Sequence, residues 1–227
     1  MSIRARVTAY GGLGCRTRRD HLVRWLSFCG FLAPALLLSL YVAASVLNPG
    51  FNHIGRTVSR LGVEGVAHPE VMNSGFIVFG VLMLLFSCGL YIRFRPYFMA
   101  KLLWLTLALC GLGVLLAGVF HADPLGTLGP RSFESMLHSA FASLSILSLI
   151  VGMLAAADIF RRYPAWRGFV APSVLLAAVV LLVVVLFMAS AVDRWAGLCE
   201  RLFYTIAFGW IWVVGLRSFL FPCTDEL

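Results

Sequence analysis

The feature that most limits what this chain can fold into is a series of six long apolar stretches. They cover residues 25–47, 72–92, 102–120, 134–157, 169–191 and 196–219, and they contain few charged residues. A helix of about 20 apolar residues crosses a hydrocarbon core of about 30 Å. In lipid, a helix satisfies its backbone polar groups within its own segment. The sequence therefore predicts an all-α fold, a six-helix transmembrane bundle.

Composition excludes the alternative of a water-soluble domain. Hydrophobic residues make up 61% of the 227 residues and charged residues only 12%, with a mean hydropathy of +0.93. A water-facing surface cannot be built from so few charged side chains. The net charge of +8 does not indicate nucleic acid as a partner, because the basic residues collect on the connections of one side. The partner that the composition predicts is the lipid bilayer.

The basic residues also predict an orientation. With the N-terminus inside, the cytoplasmic segments hold thirteen Lys or Arg residues and the outer segments hold five. The positive-inside rule then favours an N-in, C-in topology. We divide the chain into a basic cytoplasmic arm (1–24), a six-span domain (25–220) and a cytoplasmic tail (221–227). The first span is too long for a signal peptide and is interpreted as an uncleaved signal anchor.

Packing signals differ among the spans and loops. Small residues about four apart in the third and fourth spans predict that these two helices lie inside the bundle, while the Val- and Leu-rich fifth span is expected to face lipid. In the first outer loop, Ile54, Val58 and Leu61 recur at helical spacing. This spacing predicts a short amphipathic helix on the membrane surface. Gly62, Gly65 and Pro69 are expected to end it.

The ionisable side chains with versatile chemistry crowd the outer side. If Ser132 caps the fourth span, Glu134 lies in its first turn and His138 lies one turn deeper on the same face. One interpretation is that Glu134 orients a buried His138. A second adds His121 and Asp123, which gives two imidazoles and two carboxylates, a donor set suited to zinc or another divalent metal. The metal ligands in that case would be His121, Asp123 and His138.

Two further polar positions belong to the same predicted rim. Glu200 and Arg201 begin the sixth span, and adjacent helical residues point about 100° apart, so both cannot face one neighbour. One of them is expected to face the bundle and pair with an outer group such as Asp123, Glu134 or Arg60. The predicted outer-rim binding pocket comprises Ser59, Asn73, His121, Asp123, Glu134, His138, Glu200 and Arg201.

Several short motifs resemble those of a known family. They are Thr57-Val58-Ser59-Arg60-Leu61-Gly62, Asn73-Ser74-Gly75-Phe76 with Gly80, Phe120-His121-Ala122-Asp123, Leu137-His138 and Gly197-Leu198-Cys199-Glu200-Arg201-Leu202. Together they resemble the six-span prokaryotic membrane family called domain of unknown function 998, over roughly residues 30 to 220. The resemblance implies a six-helix bundle that resides in a membrane, and it supplies no agreed reaction. We expect that membrane to be the cell (inner) membrane. The resemblance also implies an acidic residue after the loop serine, where this chain has Arg60.

Two functions remain open at this level, so the sequence does not decide whether the protein is an enzyme. The first is a binding or transport protein whose outward-facing pocket holds a small polar solute or a lipid head group. Ionisable groups within a membrane mark such sites. The second is a metal-dependent intramembrane hydrolase acting on lipid or amide bonds, by analogy with ceramidase-like hydrolases. Haem ligation is disfavoured, because only His138 sits well inside a span.

Overall fold

The computed structural model describes residues 17–126, 128–189 and 194–221, and within them it is helical with no strand. Six long helices are each long and apolar enough to cross a membrane, which confirms the predicted six-helix fold. Their bounds are α1 Arg18–Leu47, α2 Pro69–Phe94, α3 Met99–Val119, α4 Phe133–Phe160, α5 Val170–Ala189 and α6 Ala196–Leu220. The division into arm, membrane domain and tail and the N-in, C-in orientation stay predictions.

Helix α1 begins earlier than the apolar pattern predicts. Thr17 is its N-cap and forms a capping box with Asp20, whose backbone N–H donates to the threonine hydroxyl at 3.1 Å. The Asp20 carboxylate in turn accepts from the Thr17 backbone N–H at 3.2 Å. Capping satisfies backbone donors that a helix leaves unpaired, so the helix extends into residues whose side chains are too polar for the membrane core.

The six helices form a ring in chain order, with α6 closing against α1. The start of α1 meets the end of α6, where the hydroxyls of Ser27 and Ser218 lie 2.8 Å apart. Loop residues 48–68 and 120–132 and the beginning of α6 meet at the opposite end, which we call the polar end. The other end, which holds residues 95–98 and 161–169, is called the basic end. This arrangement brings distant loops together over the centre of the bundle.

Glycines allow α3 to approach both of its neighbours closely. A Cβ atom added to Gly113 would lie 2.7 Å from the Phe141 carbonyl of α4, and one added to Gly111 would lie 2.8 Å from the Gly80 carbonyl of α2. Such contacts between backbones require residues without side chains. The close approach of α3 to its neighbours agrees with the small residues of the third and fourth spans, although Ser143 of α4 is exposed.

Helix α5 is peripheral, as its composition predicts. In its most apolar stretch of 18 residues, only 22% of the residues are buried, compared with 44% in α3 and 50% in α4. Leu175 and Leu182 are more than half exposed, whereas Ala177 and Val180 pack inward. In a membrane the exposed face is covered by lipid tails, so α5 supports the bundle from outside.

The first loop forms a shorter helix than expected, and it packs on protein. The structure has a 3₁₀ helix, Val58–Gly62, in which Val58 and Leu61 are buried while Ile54 lies outside it and is 54% exposed. The expectation of an amphipathic surface helix that includes Ile54 is therefore corrected to one 3₁₀ turn. Its inward face contacts α2 and α6, so burial against the bundle replaces contact with the membrane surface.

Candidate functional site

A cavity of about 80 Å³ lies inside the bundle, between the 3₁₀ helix and the middle of the membrane-spanning helices. Five of the six long helices, all except α5, contribute side chains to it. Its walls are mainly apolar and aromatic. The polar side chains that line it are Ser59, Cys110, His138, Ser145, Glu200 and Tyr204. Three of the eight predicted pocket residues, Ser59, His138 and Glu200, therefore line the same space.

Glu200 connects α6 to the 3₁₀ helix. One carboxylate oxygen accepts a short hydrogen bond from the backbone N–H of Val58, the first residue of the 3₁₀ helix. The other accepts from the Tyr204 hydroxyl at 3.3 Å. Thr57 makes no side-chain cap for this 3₁₀ helix, so a carboxylate from α6 performs that task. The glutamate thus fixes the loop over the cavity that it lines.

His138 is held by backbone carbonyls at the end of α3. Its Nδ1 lies 2.8 Å from the Ala117 oxygen and 2.9 Å from the Phe120 oxygen. A carbonyl only accepts, so Nδ1 carries a proton and donates it. In the neutral imidazole Nε2 then keeps a lone pair and can accept a hydrogen bond. The residue is 7% exposed, which makes it a well-fixed polar group in the cavity wall.

Ser59 and Asn73 lie on the loop side of the cavity and have different tasks. The Ser59 hydroxyl lies 3.2 Å from the Thr57 hydroxyl, and the residue lines the cavity. Asn73 of α2 does not line it. Its amide donates to the Gly62 carbonyl at 2.8 Å, which ties the end of the 3₁₀ helix to α2.

Arg201 points away from the cavity and forms what we call the strap, with Tyr41 and His53. Its Nε donates to the Tyr41 hydroxyl at 2.9 Å, and its Nη1 donates to the carbonyls of Gly197 and Arg56 at 2.7 and 3.0 Å. Its Nη2 lies 3.2 Å from His53 Nδ1. The strap therefore joins α6, α1 and the first loop.

His53 accepts hydrogen bonds in the strap, and this fixes its charge state. Guanidinium nitrogens only donate, so Nδ1 of His53 is an acceptor, and the Tyr41 hydroxyl donates to the same atom at 3.0 Å. Burial, helped by the positive charge of Arg201, lowers the pKa of His53 below its ordinary value of 6.5. The strap favours the neutral imidazole.

At the rim, Glu134 pairs with His121 and does not contact His138. Its carboxylate accepts from the His121 backbone N–H at 2.7 Å and lies 2.8 Å from the imidazole Nδ1. Helical side chains lean toward the helix N-terminus, so Glu134 reaches back to the loop. The interpretation that Glu134 orients His138 is wrong. Ser132 does cap α4, with its hydroxyl accepting from the Ser135 N–H at 3.0 Å.

Asp123 also belongs to the rim and is organised by the loop. Its carboxylate accepts from the Ser132 backbone N–H at 3.2 Å. Hydrogen bonds from Ser132 hold the pKa of the Asp123 carboxyl below its ordinary value. Its backbone carbonyl accepts from Arg60 Nη1 at 2.6 Å, which joins the first and second polar-end loops. Asp123, His121 and Glu134 do not line the cavity.

Within residues 17–126, 128–189 and 194–221, no group of three or more His, Cys, Asp or Glu side chains is close enough to hold a metal ion. The proposed ligands divide between two places, since His138 donates to carbonyls inside the bundle while His121 and Asp123 lie at the rim. Zinc binding by His121, Asp123 and His138 stays a prediction.

The sequence reasoning separated Glu200 from Arg201 as the structure does, but it missed their partners. Glu200 bonds to Val58 and Tyr204 rather than to Asp123, Glu134 or Arg60. The contact with Tyr204 could have been predicted from the spacing, because Tyr204 lies one turn after Glu200 on the same helix face. The contacts of Arg201 with Tyr41 and His53 could not be predicted in this way, because these residues are far from Arg201 in sequence.

Six membrane-length helices, five of which line a cavity with a carboxylate in its wall, define a polytopic α-helical membrane protein with an internal candidate site. Residues 31–217 match the model of the family described as "Protein of unknown function (DUF998)", and the chain belongs to that family. This match confirms the resemblance seen in the motifs. Neither curated proteins nor solved structures gave a significant match.

Proposed function

We propose that the protein binds a small polar solute, or a head group of few atoms, in the cavity lined by Glu200, His138 and Ser59. The observation that carries the proposal is a carboxylate beside open space within the membrane-spanning bundle. Ionisable groups at such depth are costly to retain, and they mark ligand sites in membrane proteins. The neighbouring hydroxyls and imidazole supply both hydrogen-bond donors and acceptors.

The size of the cavity supports a small ligand. One water-sized group takes about 10 to 15 Å³ of such space, so a cavity of about 80 Å³ has room for a ligand with a handful of non-hydrogen atoms. Its position between the polar-end loop and mid-membrane suits a ligand that enters from the polar end.

Filling the cavity tests the proposal. Ala142 lines it, whereas Ala140 on the same helix is exposed, so Ala142→Leu and Ala140→Leu are matched variants. We expect at least one of three probes of similar size, n-propylammonium, 1-propanol and propionate, to raise the thermal unfolding temperature of the detergent-purified protein and of Ala140→Leu. Ala142→Leu should abolish that rise. Equal responses in the two variants, or no response to any probe, would overturn the proposal.

The proposed location is the cell (inner) membrane with the polar end outside, which is supported by the distribution of Lys and Arg. Leu128 at the polar end is 96% exposed and Phe98 at the basic end is 74% exposed. In a background with the six native cysteines replaced by alanine, a membrane-impermeant maleimide added to whole cells should label Leu128→Cys and not Phe98→Cys. The reverse pattern would overturn the orientation.

A further inference from the structure

The charge of the cavity wall gives information about the ligand. Glu200 is the one carboxylate that lines the cavity, and among the described residues no lysine or arginine side chain lines it. Among the described lining residues, His138 is the one with a nitrogen in its side chain, and it donates to carbonyls through Nδ1. The wall therefore offers a carboxylate without a fixed positive charge beside it.

The two groups that donate hydrogen bonds to Glu200 are neutral. The Val58 N–H and the Tyr204 hydroxyl occupy one hydrogen bond on each oxygen. A carboxylate has about four acceptor sites, so about two remain. Within the described part of the chain, no Lys, Arg or His nitrogen lies within ion-pair distance of this carboxylate. Arg201, the next residue, is engaged in the strap instead.

The rest of the wall is suited to an organic cation rather than to a metal cation. Four phenylalanines, at positions 76, 79, 203 and 208, line the cavity with aliphatic residues. Aromatic rings attract an ammonium group and also accept its apolar substituents. Hard inorganic cations take about six or more oxygen ligands, and the side chains of this wall supply five oxygens, one each from Ser59, Ser145 and Tyr204 and two from Glu200.

From these observations we propose that the ligand is a small monovalent ammonium compound with short apolar substituents. This inference rests on the proposed function of the same cavity. The ammonium N–H groups donate to the free acceptor sites of Glu200, and His138 Nε2 and the Ser59 hydroxyl are further acceptors in the wall. The apolar substituents extend along the aromatic residues toward mid-membrane.

The test compares probes of equal size and different charge at neutral pH. We expect n-propylammonium to stabilise the wild-type protein at concentrations at least about tenfold lower than 1-propanol, because a charged donor to a carboxylate is roughly twice as strong as a neutral one. Propionate, which carries a like charge, should not stabilise it. Ala142→Leu should remove the response to n-propylammonium.

Glu200→Gln separates charge from shape, because the amide oxygen still accepts from the Val58 N–H. This variant should reduce the preference for n-propylammonium over 1-propanol by about tenfold. If Glu200→Gln fails to fold, the wild-type series decides by itself. Binding of 1-propanol as strongly as n-propylammonium, with loss of both in Ala142→Leu, would overturn the ammonium inference and leave the binding site intact. Absence of any response that depends on Ala142 would overturn both.

Discussion

Glu200 and Arg201 are neighbours in α6, yet their side chains enter opposite kinds of surroundings. Arg201 lies in the strap, where it meets two carbonyls, a tyrosine hydroxyl and an imidazole nitrogen within 3.2 Å. Glu200 lies in the cavity wall, where two neutral groups donate to it and open space remains. Arg201 therefore has its hydrogen-bond partners within the protein, whereas Glu200 keeps acceptor sites that a ligand can use.

The different surroundings of the two side chains indicate that one has a structural role and the other a role in binding. A charged group that is fully hydrogen-bonded within the fold has little left to offer a ligand, whereas a native structure that leaves a polar group under-satisfied needs a reason for it. On this argument Arg201 contributes mainly to stability and Glu200 mainly to binding. Substitutions at the two positions should therefore have different effects, and the strap should respond more strongly in unfolding experiments.

The largest expected effect on stability is that of Arg201→Ala. Removing the guanidinium leaves the carbonyls of Gly197 and Arg56 and the Tyr41 hydroxyl without their charged donor, and hydrogen bonds to charged groups contribute more than neutral ones. We expect the free energy of unfolding in mixed detergent micelles to fall by about 2 to 4 kcal/mol. Arg201→Lys should recover only part of it, because an ammonium cannot reproduce the planar fork.

Arg194 provides the matched control for the strap. It is also an arginine at the polar end, but it is exposed. Arg194→Ala should change the free energy of unfolding by no more than about 0.5 kcal/mol. If Arg201→Ala lowers the free energy of unfolding no more than Arg194→Ala does, the strap does not stabilise the fold and the proposed difference in role between Arg201 and Glu200 is wrong.

Glu200 should show a smaller effect that depends on which residue replaces it. Glu200→Leu removes the acceptor of the Val58 N–H, and an unsatisfied backbone donor costs about 1 to 3 kcal/mol. Glu200→Gln keeps an acceptor at the same place, so its free energy of unfolding should stay within about 1 kcal/mol of wild type. Equal losses in the two variants would mean that the charge itself, rather than the hydrogen bond to Val58, holds the loop.

The fold was predictable from the sequence because it depends on the hydrophobicity of each span, which is a sum over many residues. About twenty mostly apolar residues predict a membrane span whatever their order, and this holds even for α6, in which Glu200 and Arg201 interrupt the apolar run. The limits of α1 were missed because the Thr17–Asp20 capping box is a local contact of two side chains. The site depends on such individual contacts throughout.

The contacts of the site join residues that are far apart in sequence, and no periodic pattern encodes them. Arg201 and Tyr41 are 160 positions apart, and Glu200 and Val58 are 142 apart. Sequence reasoning could place these groups at one end of the bundle, since spans alternate in direction. Which of them meet depends on the rotation of each helix about its axis. Close contacts help to set that rotation, such as the one between α6 and α1, where a Cβ atom added to Gly215 would lie 3.0 Å from the Gly30 backbone.

Stability should depend on pH through His53 in the strap. Its folded-state pKa is lowered below 6.5, so the unfolded chain binds the proton more tightly. The contribution of His53 to stability is complete above the ordinary value and is lost as the pH falls through the folded-state pKa. Thermal unfolding between about pH 7.5 and 5 should therefore show a loss of stability that is weaker in His53→Gln, whose side-chain oxygen accepts without titrating.

His68 is the control for this pH effect. It lies in the same loop but is exposed, where it pairs with Glu70 at 2.9 Å. His68→Gln should keep the wild-type dependence on pH. If His53→Gln and the wild type lose stability equally over the whole pH range, the pH dependence belongs to another group and the titration of His53 does not affect stability.

The smallest effect is expected at the rim, for Glu134→Gln. The pair with His121 is 2.8 Å long, but its side chains are 44% and 50% exposed, and exposed ion pairs contribute about 0 to 1 kcal/mol. Glutamine also accepts from the His121 N–H, so the free energy of unfolding should change by less than about 1 kcal/mol. Because Glu134 lies outside the cavity, the response to n-propylammonium should not change. A weaker ligand response in Glu134→Gln with unchanged stability would mean that the rim belongs to the binding site, as the sequence alone predicts, and that Glu200 shares its task with a second carboxylate.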